Sequence, residues 1–400
     1  MISLGQAHKH ISILQPLDPI VVTLNEALGL ICSEDIVAVA NCPSVDSSLK
    51  DGFAVFSADI ADASESSPVL LNVAGTLTAG DDTDNYSVSS GNVVRIMTGA
   101  PIPAGATAVL ASEFSTVQGS KVVVTANADV GRNILRRGSD IEQGRVVARR
   151  GTVLKPTHLG LLAAAGLSEV NCCPGPRVAV VATGSELVQP GEPIKPGKVA
   201  ASNMVTAAAE LCNLGIVAST VLLRDNLDQL RDHFAHLIRR VDVLITCGGV
   251  LDGDKDLTMK AMEQNGMTKI FHRVRIGPGK GACMGRVGNT IIFNLPGGPP
   301  SNHVALILLA LPGVRRLMGF ENFLPPKRKV LVTKKIVGQS GWTQLIFSRM
   351  DYTDGSSVVP LNNLSRLEAM AAADSLIEIP EECSIIEKNS MAEVWLLHCW

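Results

Sequence analysis

The chain has 400 residues, 46% of them hydrophobic and 18% charged, with a formal net charge of −3. That balance excludes an intrinsically disordered chain and gives no basic footprint for nucleic acid or for an anionic membrane surface. A chain this long exceeds what one hydrophobic core serves, so several domains are expected.

The start, MISLGQAHKHISI, lacks the charged-then-apolar order of a signal peptide. The longest apolar stretch, Val304 to Val314, is too short to span a bilayer and contains Pro312. The 9 cysteines are an odd set without a CxxC pair, which points to reduced thiols in a cytoplasmic protein and not to a disulfide framework or a zinc site.

Residues 1–45 read as helical with an extended exit and, together with 147–176, form a linker and helical domain. From 46 to 146 the pattern changes to short β-type runs (VLLNVAG, NVVRIM, AVLAS, KVVVTA) broken by Gly, Asp and Pro, the pattern of a small β-rich domain. In it, Asp51–Gly52 reads either as a chemistry-bearing pair or as a simple type I′ turn. Thr98–Gly99–Ala100–Pro101 can terminate a strand. NILRRGSDIEQG reads by default as a surface loop with an ion pair among Arg136, Arg137 and Asp140.

A helix over Thr157–Ala165 leads through CCPGPR into residues 177–322. There the apolar runs Val178–Val181, Val217–Leu223, Val241–Ile245 and Thr290–Phe293 alternate with helix-like stretches at 202–213, 226–239, 257–264 and 302–318. Strands separated by helices of that length predict βαβ units and a doubly wound, mostly parallel sheet, with ligands beyond the carboxyl ends of its strands. Runs such as KVLVTKKIV, TQLIFSRM and SLIEI make 323–400 a small β domain.

Four stretches of the parallel region can carry chemistry. In VAVVATGSEL, Glu186 can hold a metal or orient a substrate, or it can be a solvated helix-start residue. In LITCGGVLDGDKD, Gly248 and Gly249 allow close approach of an anion and Thr246 offers a hydroxyl. One of Asp252, Asp254 and Asp256 suffices to cap the next helix, and a divalent cation would reconcile the surplus acids with a bound phosphate. In FHRVRIGPGKGACMGR, a stiff glycine-proline turn presents Lys280 as a point charge for phosphate, or is a solvated hairpin. In NLPGGPPSNH, Ser301 or Asn302 begins an apolar helix after a glycine turn. His233 and His236 lie one helical turn apart without an acidic or thiol partner, and His272 and His303 read as structural. No Walker A, GxGxxG or Ser–His–Asp pattern is present.

DSSLKDGFAV, RIMTGAPIPAGA, NILRRGSDIEQG, VAVVATGSEL with PGEPIKPGKVAASN, TCGGVLDGDKD, GPGKGACMGR and NLPGGPPS follow one another in a known order. From about residue 10 to its end the chain resembles the molybdopterin molybdenumtransferase family, which includes the C-terminal enzyme domain of gephyrin. The resemblance implies an elongated homodimer with a central molybdopterin-binding α/β domain, a β-rich N-terminal insert domain and a small C-terminal β-barrel-like domain. It implies insertion of molybdate into adenylylated molybdopterin with release of AMP, dependent on Mg2+, in a cleft between the α/β domain of one subunit and the β-rich domain of the other. A molybdopterin adenylyltransferase and molybdoenzyme acceptors are the partners it suggests, with no nucleic acid and no membrane.

By position, the resemblance makes Asp51, Glu186, Asp225 and Asp256 catalytic, with Glu186, Asp225 and Asp256 also on the metal. Thr98, Asp140, Thr246, Gly248, Gly249, Lys280 and Ser301 would bind the pterin nucleotide. Several positions depart from the family pattern. Cys247 and Leu251 replace serines, Gly277 replaces a lysine, Gly298 an asparagine and Lys50 a methionine, while Ser185 and Ser139 each stand where the family has an acid. Arg275 or Lys50 can supply the charge lost at Gly277. The altered loops also suit a non-catalytic molybdopterin carrier or scaffold. The upstream adenylyl transfer is a weaker reading, because the flanking β domains are foreign to stand-alone adenylyltransferases.

Overall fold

The computed structural model describes residues 1–249, 257–351, 353 and 357–397. The chain divides into two compact units, Val21–Cys172 and the combination of Met1–Ile20 with Cys173–Trp400.

Helix α1 (Leu4–Ser12) opens the chain with a capping box: the Ser3 hydroxyl accepts the Gln6 amide and the Gln6 side chain accepts the Ser3 amide. Its buried residues, Leu4, Ala7 and Ile11, recur at helical spacing and make one apolar face. The helix is shorter than the sequence led us to expect. Beyond it the first 45 residues contain only the short strands Ile20–Thr23, Ile31–Cys32 and Ile36–Val37, because the Pro- and Gly-containing stretch offers no second apolar face at that spacing.

The Val21–Cys172 unit is built on a six-stranded sheet of β1 (Gly52–Val55), β2 (Val69–Leu77), β3 (Asn92–Ile96), β4 (Ala108–Ala111), β5 (Ser115–Gln118) and β6 (Lys121–Val124), in the order β4-β1-β3-β2-β6-β5. Phe53, Val55, Val93 and Leu110 fill the core on one face, and Ala54, Val94, Ile96 and Val109 fill it on the other. Burial on both faces is why β1 shows no polar alternation. Asp51–Gly52 is not a hairpin turn. Gly52 starts β1, which pairs with both β3 and β4, and a Cβ there would lie 1.9 Å from the Leu110 carbonyl oxygen. The predicted helix near 157 is present as α2 (Pro156–Ala164), with its proline in the first turn where the missing amide costs nothing.

The second unit contains the expected parallel sheet. Its elements are β7 (Val178–Thr183), α3 (Ser202–Asn213), β8 (Ser219–Leu223), α4 (Leu227–Ile238), β9 (Val243–Cys247), α5 (Leu257–Gln264), β10 (Thr268–His272), β11 (Cys283–Val287) and β12 (Thr290–Leu295). The strand order is β8-β7-β9-β12-β11-β10. The first four are mutually parallel, and β11 runs antiparallel to both its neighbours. The central strands β7, β9 and β12 are buried along their whole length, as covering on both faces requires.

Helix α6 (Pro299–Ala305) continues through a π-helical stretch, Leu306–Ala310, into α7 (Leu311–Leu317). Pro312 has no amide to send back to the Leu308 carbonyl, so the hydrogen-bond ladder shifts register just before it. The C-terminal strands β13 (Lys327–Val332), β14 (Thr343–Asp351), β15 (Ser357–Pro360), β16 (Ser375–Ile379) and β17 (Met391–Leu396) close into a ring, β13-β15-β14-β16-β17-β13. Val330, Val332, Met350, Val358, Ile377 and Val394 fill this barrel. Among the described residues no helix is long and apolar enough to cross a membrane.

Candidate functional site

Register places three loops at one level. Ala182 pairs with Cys247 and Cys247 with Leu295, so the chain leaves β7, β9 and β12 side by side at their carboxyl ends. Thr183 pairs with Leu223, which brings in the turn carrying Asp225.

After β7, the Ser185 amide donates to Asp225 Oδ2 at 2.8 Å, and the Asp225 amide donates to Ser185 Oγ at 3.3 Å. Ser185, counted from sequence as a lost acid, is therefore the residue that clamps Asp225. Lys198 Nζ donates to the Ser185 carbonyl at 2.6 Å, which fixes an ammonium on the same turn. Glu186 folds back over Gly184: a Cβ on Gly184 would meet both Glu186 carboxylate oxygens at 2.7 Å.

After β9, Gly248 and Gly249 have φ of +115° and +65°, backbone that favours glycine. A Cβ on Gly248 would lie 2.7 Å from the Thr183 carbonyl oxygen, and one on Gly297 would lie 3.6 Å from Gly248 Cα. The β9 and β12 loops thus abut. Asn203, in the first turn of α3, donates its side-chain amide to the Gly297 carbonyl at 2.8 Å. The Gly248 amide is engaged with the Leu295 carbonyl at 2.9 Å, so the close approach of the two loops, and not that N–H, is what this glycine provides.

Thr246 stands apart from the expectation. It is fully buried and its hydroxyl donates to Asn294 Oδ1 at 2.8 Å, so it braces β9 against β12. Burial also pushes the Cys247 thiol up to about 12, which keeps it protonated at neutral pH. Asp256 lies outside the described residues, as do Leu251, Asp252 and Asp254.

The third and fourth loops meet each other. A Cβ on Gly279 would lie 3.5 Å from the Ser301 carbonyl oxygen, so the turn presenting Lys280 packs on the start of α6. Lys280 Nζ sits 5.1 Å from the centre of the Trp342 ring. Arg275 does not replace the charge missing at Gly277: its Nε donates to Glu381 at 3.0 Å. Gly298 occupies the N-cap of α6 with no side chain to cap it.

In the Val21–Cys172 unit, Asp51 Oδ1 accepts both the amide and the hydroxyl of Thr98, each at 2.7 Å. The hydroxyl first and the amide second hold the Asp51 carboxyl below the usual carboxylate range. Backbone bonds tie three of the quoted motifs together here: Ser48 to Ala100, Gly99 to Ser48, and Leu49 to Asn133. Asp140 follows on the third motif and is exposed, its amide donating to the Cys42 carbonyl at 3.0 Å. The ion pair of that loop joins Arg136 to Asp46 at 2.6 Å and leaves out Asp140.

Lys198, Asn203 and Ser185 were missed by sequence reasoning. The run PGEPIKPGKVAASN contains two of them, but nothing in the string says which polar residue turns back toward the strand ends. Among the described residues no group of three His, Cys, Asp or Glu side chains is placed to hold a metal ion.

An open, mostly parallel sheet with abutting glycine loops, a clamped carboxylate and lysines around its strand ends is an α/β domain of the kind that binds ligands beyond the carboxyl ends of its strands. Residues 2–166 match the family described as MoeA N-terminal region (domain I and II), and residues 179–316 match the probable molybdopterin binding domain. The chain is 33% identical over 386 residues to Molybdopterin molybdenumtransferase 2 of Mycobacterium tuberculosis, covering 94% of this chain and 95% of the relative. It is 35% identical over 322 residues to the Molybdopterin molybdenumtransferase of Haemophilus influenzae, covering 79% and 78%. The crystal structure of the molybdopterin biosynthesis moeA protein from Pyrococcus horikosii matches with a TM-score of 0.87 at 28% identity over 100% of both chains. The chain belongs to the molybdopterin molybdenumtransferase family, transferases of molybdenum cofactor biosynthesis.

Proposed function

We propose that this chain inserts molybdate into adenylylated molybdopterin and releases AMP, with Mg2+ as the divalent cation. The observation that carries the reading is the convergence of Gly248, Gly297, Asp225 with its Ser185 clamp, and Lys198 at the carboxyl ends of one parallel sheet. Glycine-lined backbone admits a bulky anion, and fixed lysines offset its charge.

The carboxylates fit a hard cation. Mg2+ takes one or two protein carboxylates and completes its shell with water and substrate phosphate, so the exposed acids Glu186 and Asp225 suit it. Glu186 and Asp225 would hold it, together with Asp256, and it would neutralise charge on the phosphates and on the developing AMP. Lys198 and Lys280 attract the phosphorylated substrate. Asp51, kept ionised by Thr98, would be a fixed hydrogen-bond acceptor that orients the pterin thiols, whose protons leave with a displaced molybdate oxygen as water when the sulfurs bind molybdenum. The chain works as a cytoplasmic homodimer in this reading, receiving its substrate from a molybdopterin adenylyltransferase and delivering cofactor to molybdoenzymes.

Purified protein given adenylylated molybdopterin, molybdate and Mg2+ should release AMP, and Asp225→Asn should slow that release by about two orders of magnitude, in line with loss of a charge-stabilising group. Tight pterin binding without AMP, under conditions where a family enzyme turns over, would favour the carrier or scaffold and end the transferase mechanism proposed for this chain.

A further inference from the structure

We infer that a hollow beside Asp51 is a subsite for a tetrahedral oxyanion, formed by Lys50 and Arg132. This deepens the proposed reaction and rests on it for the substrate class, though its geometry stands alone.

The hollow has a volume of about 200 Å3 and is lined by Lys50, Glu113, Phe114, Arg132 and Asn133 over the end of β4. It lies at the same end of the sheet as the Asp51–Thr98 pair. The Ser112 amide donates to the Asp51 carbonyl at 2.9 Å, where the chain leaves β4 for Glu113 and Phe114.

Both cations stand on fixed backbone. Ser48 Oγ donates to the Lys50 carbonyl at 2.5 Å and accepts the Lys50 amide at 3.2 Å. Leu49 donates to the Asn133 carbonyl at 2.9 Å, which joins the Lys50 turn to the Arg132 turn, and Asn133 Nδ2 donates to the Val109 carbonyl at 2.9 Å.

Neither the Lys50 ammonium nor the Arg132 guanidinium has an ion-pair partner among the described residues, whereas Arg136 nearby is paired with Asp46. Glu113 is the one acid of the lining, so the hollow carries an excess of positive charge. Its volume admits an ion such as molybdate or a single phosphate with water. Lys50 is a charge this chain has and the family pattern, with methionine there, does not. It arrives in a chain that lacks the lysine at Gly277 and has engaged Arg275 with Glu381.

The test is equilibrium dialysis of the full-length protein against radiolabelled molybdate, with inorganic phosphate and AMP as competing arms. Lys50→Met and Arg132→Ala should each weaken molybdate binding about tenfold, the loss of one charge-assisted contact. Lys50→Arg should restore it, and added salt should erode it, since the hollow is open to solvent. Lys121→Met, which removes an equal charge from β6, should bind as the wild type does.

If phosphate and AMP, and not molybdate, lose affinity in the two variants, the oxyanion held there is the substrate's phosphate. If all three ligands bind the folded Lys50→Met and Arg132→Ala proteins as they bind the wild type, the subsite is wrong. Lys50-dependent molybdate binding in a protein that releases no AMP would sustain the subsite and overturn the proposed reaction. Normal AMP release with an unchanged KM for molybdate in both variants would do the reverse.

Discussion

Replacing Thr246 by valine removes one hydroxyl from the fully buried end of β9 and leaves Asn294 Oδ1 without its 2.8 Å donor. Asn294 is itself fully buried, its amide nitrogen 3.1 Å from Met259 Sδ and 3.8 Å from Met267 Sδ, so no solvent can take the hydroxyl's place. Valine keeps the shape of threonine, so no cavity forms and the cost is that of one unsatisfied buried acceptor, about 1–3 kcal/mol. For a unit of this size each kcal/mol lowers Tm by about 2–4 °C. A thermal melt followed beside steady-state AMP release separates the two roles open to this residue. The structure predicts a lower Tm with KM for the pterin substrate within about twofold of wild type, the scatter expected for a group that touches no ligand. An unchanged Tm with KM raised tenfold would refute it and return Thr246 to the ligand side.

Gly248→Ala places a Cβ 2.7 Å from the Thr183 carbonyl oxygen at φ +115°, so the β9 loop must move or strain by about 1–3 kcal/mol. AMP release should fall more than tenfold, and wild-type turnover would contradict the abutment of the two loops. Thr98→Val removes the hydroxyl that is the larger cause of the depressed Asp51 carboxyl, so the Asp51 titration should move up toward the ordinary 3.8. The depressed value means that this contribution is present above pH 3.8 and is lost as pH falls through the lower folded value. A carboxyl NMR titration reads the change, and no upward movement would count against the Thr98 contacts. At Gly277 a Cβ would meet only Gln344 Cγ at 3.9 Å, so Gly277→Lys should fold normally and raise AMP release severalfold. A loss of stability beyond roughly 0.5 kcal/mol, or a fall in activity, would show that the position has adapted to glycine.

The parallel sheet was legible because β7, β8, β9 and β12 are apolar runs separated by helices of conventional length, and α3 and α5 begin and end where their patterns do. β10 and β11 were not. His272, Arg273, Arg275 and the glycines around Lys280 read as a turn, and pairing with β12 is a tertiary fact. Arg275 looked like a spare charge because its partner, Glu381, lies 106 residues away in sequence. Thr246 looked like a phosphate ligand because a hydroxyl before two glycines is the right pattern, and only the position of Asn294 on the adjacent strand shows where it points. Ser185 shows the opposite error: as a missing acid it suggested weakness, yet its amide and hydroxyl are what hold Asp225. The class of enzyme was readable from motif order, while the direction of individual side chains was not.

The central claim, that the strand-end cluster performs metal-dependent transfer, is tested most directly by AMP release in a single turnover. Wild type and Asp225→Asn would be compared at equal pterin occupancy, each with Mg2+ and with the metal chelated. The account predicts rapid AMP release only for wild type with Mg2+, and loss of about two orders of magnitude in the variant. Equal release from the two proteins, or release that chelation leaves untouched, would contradict it.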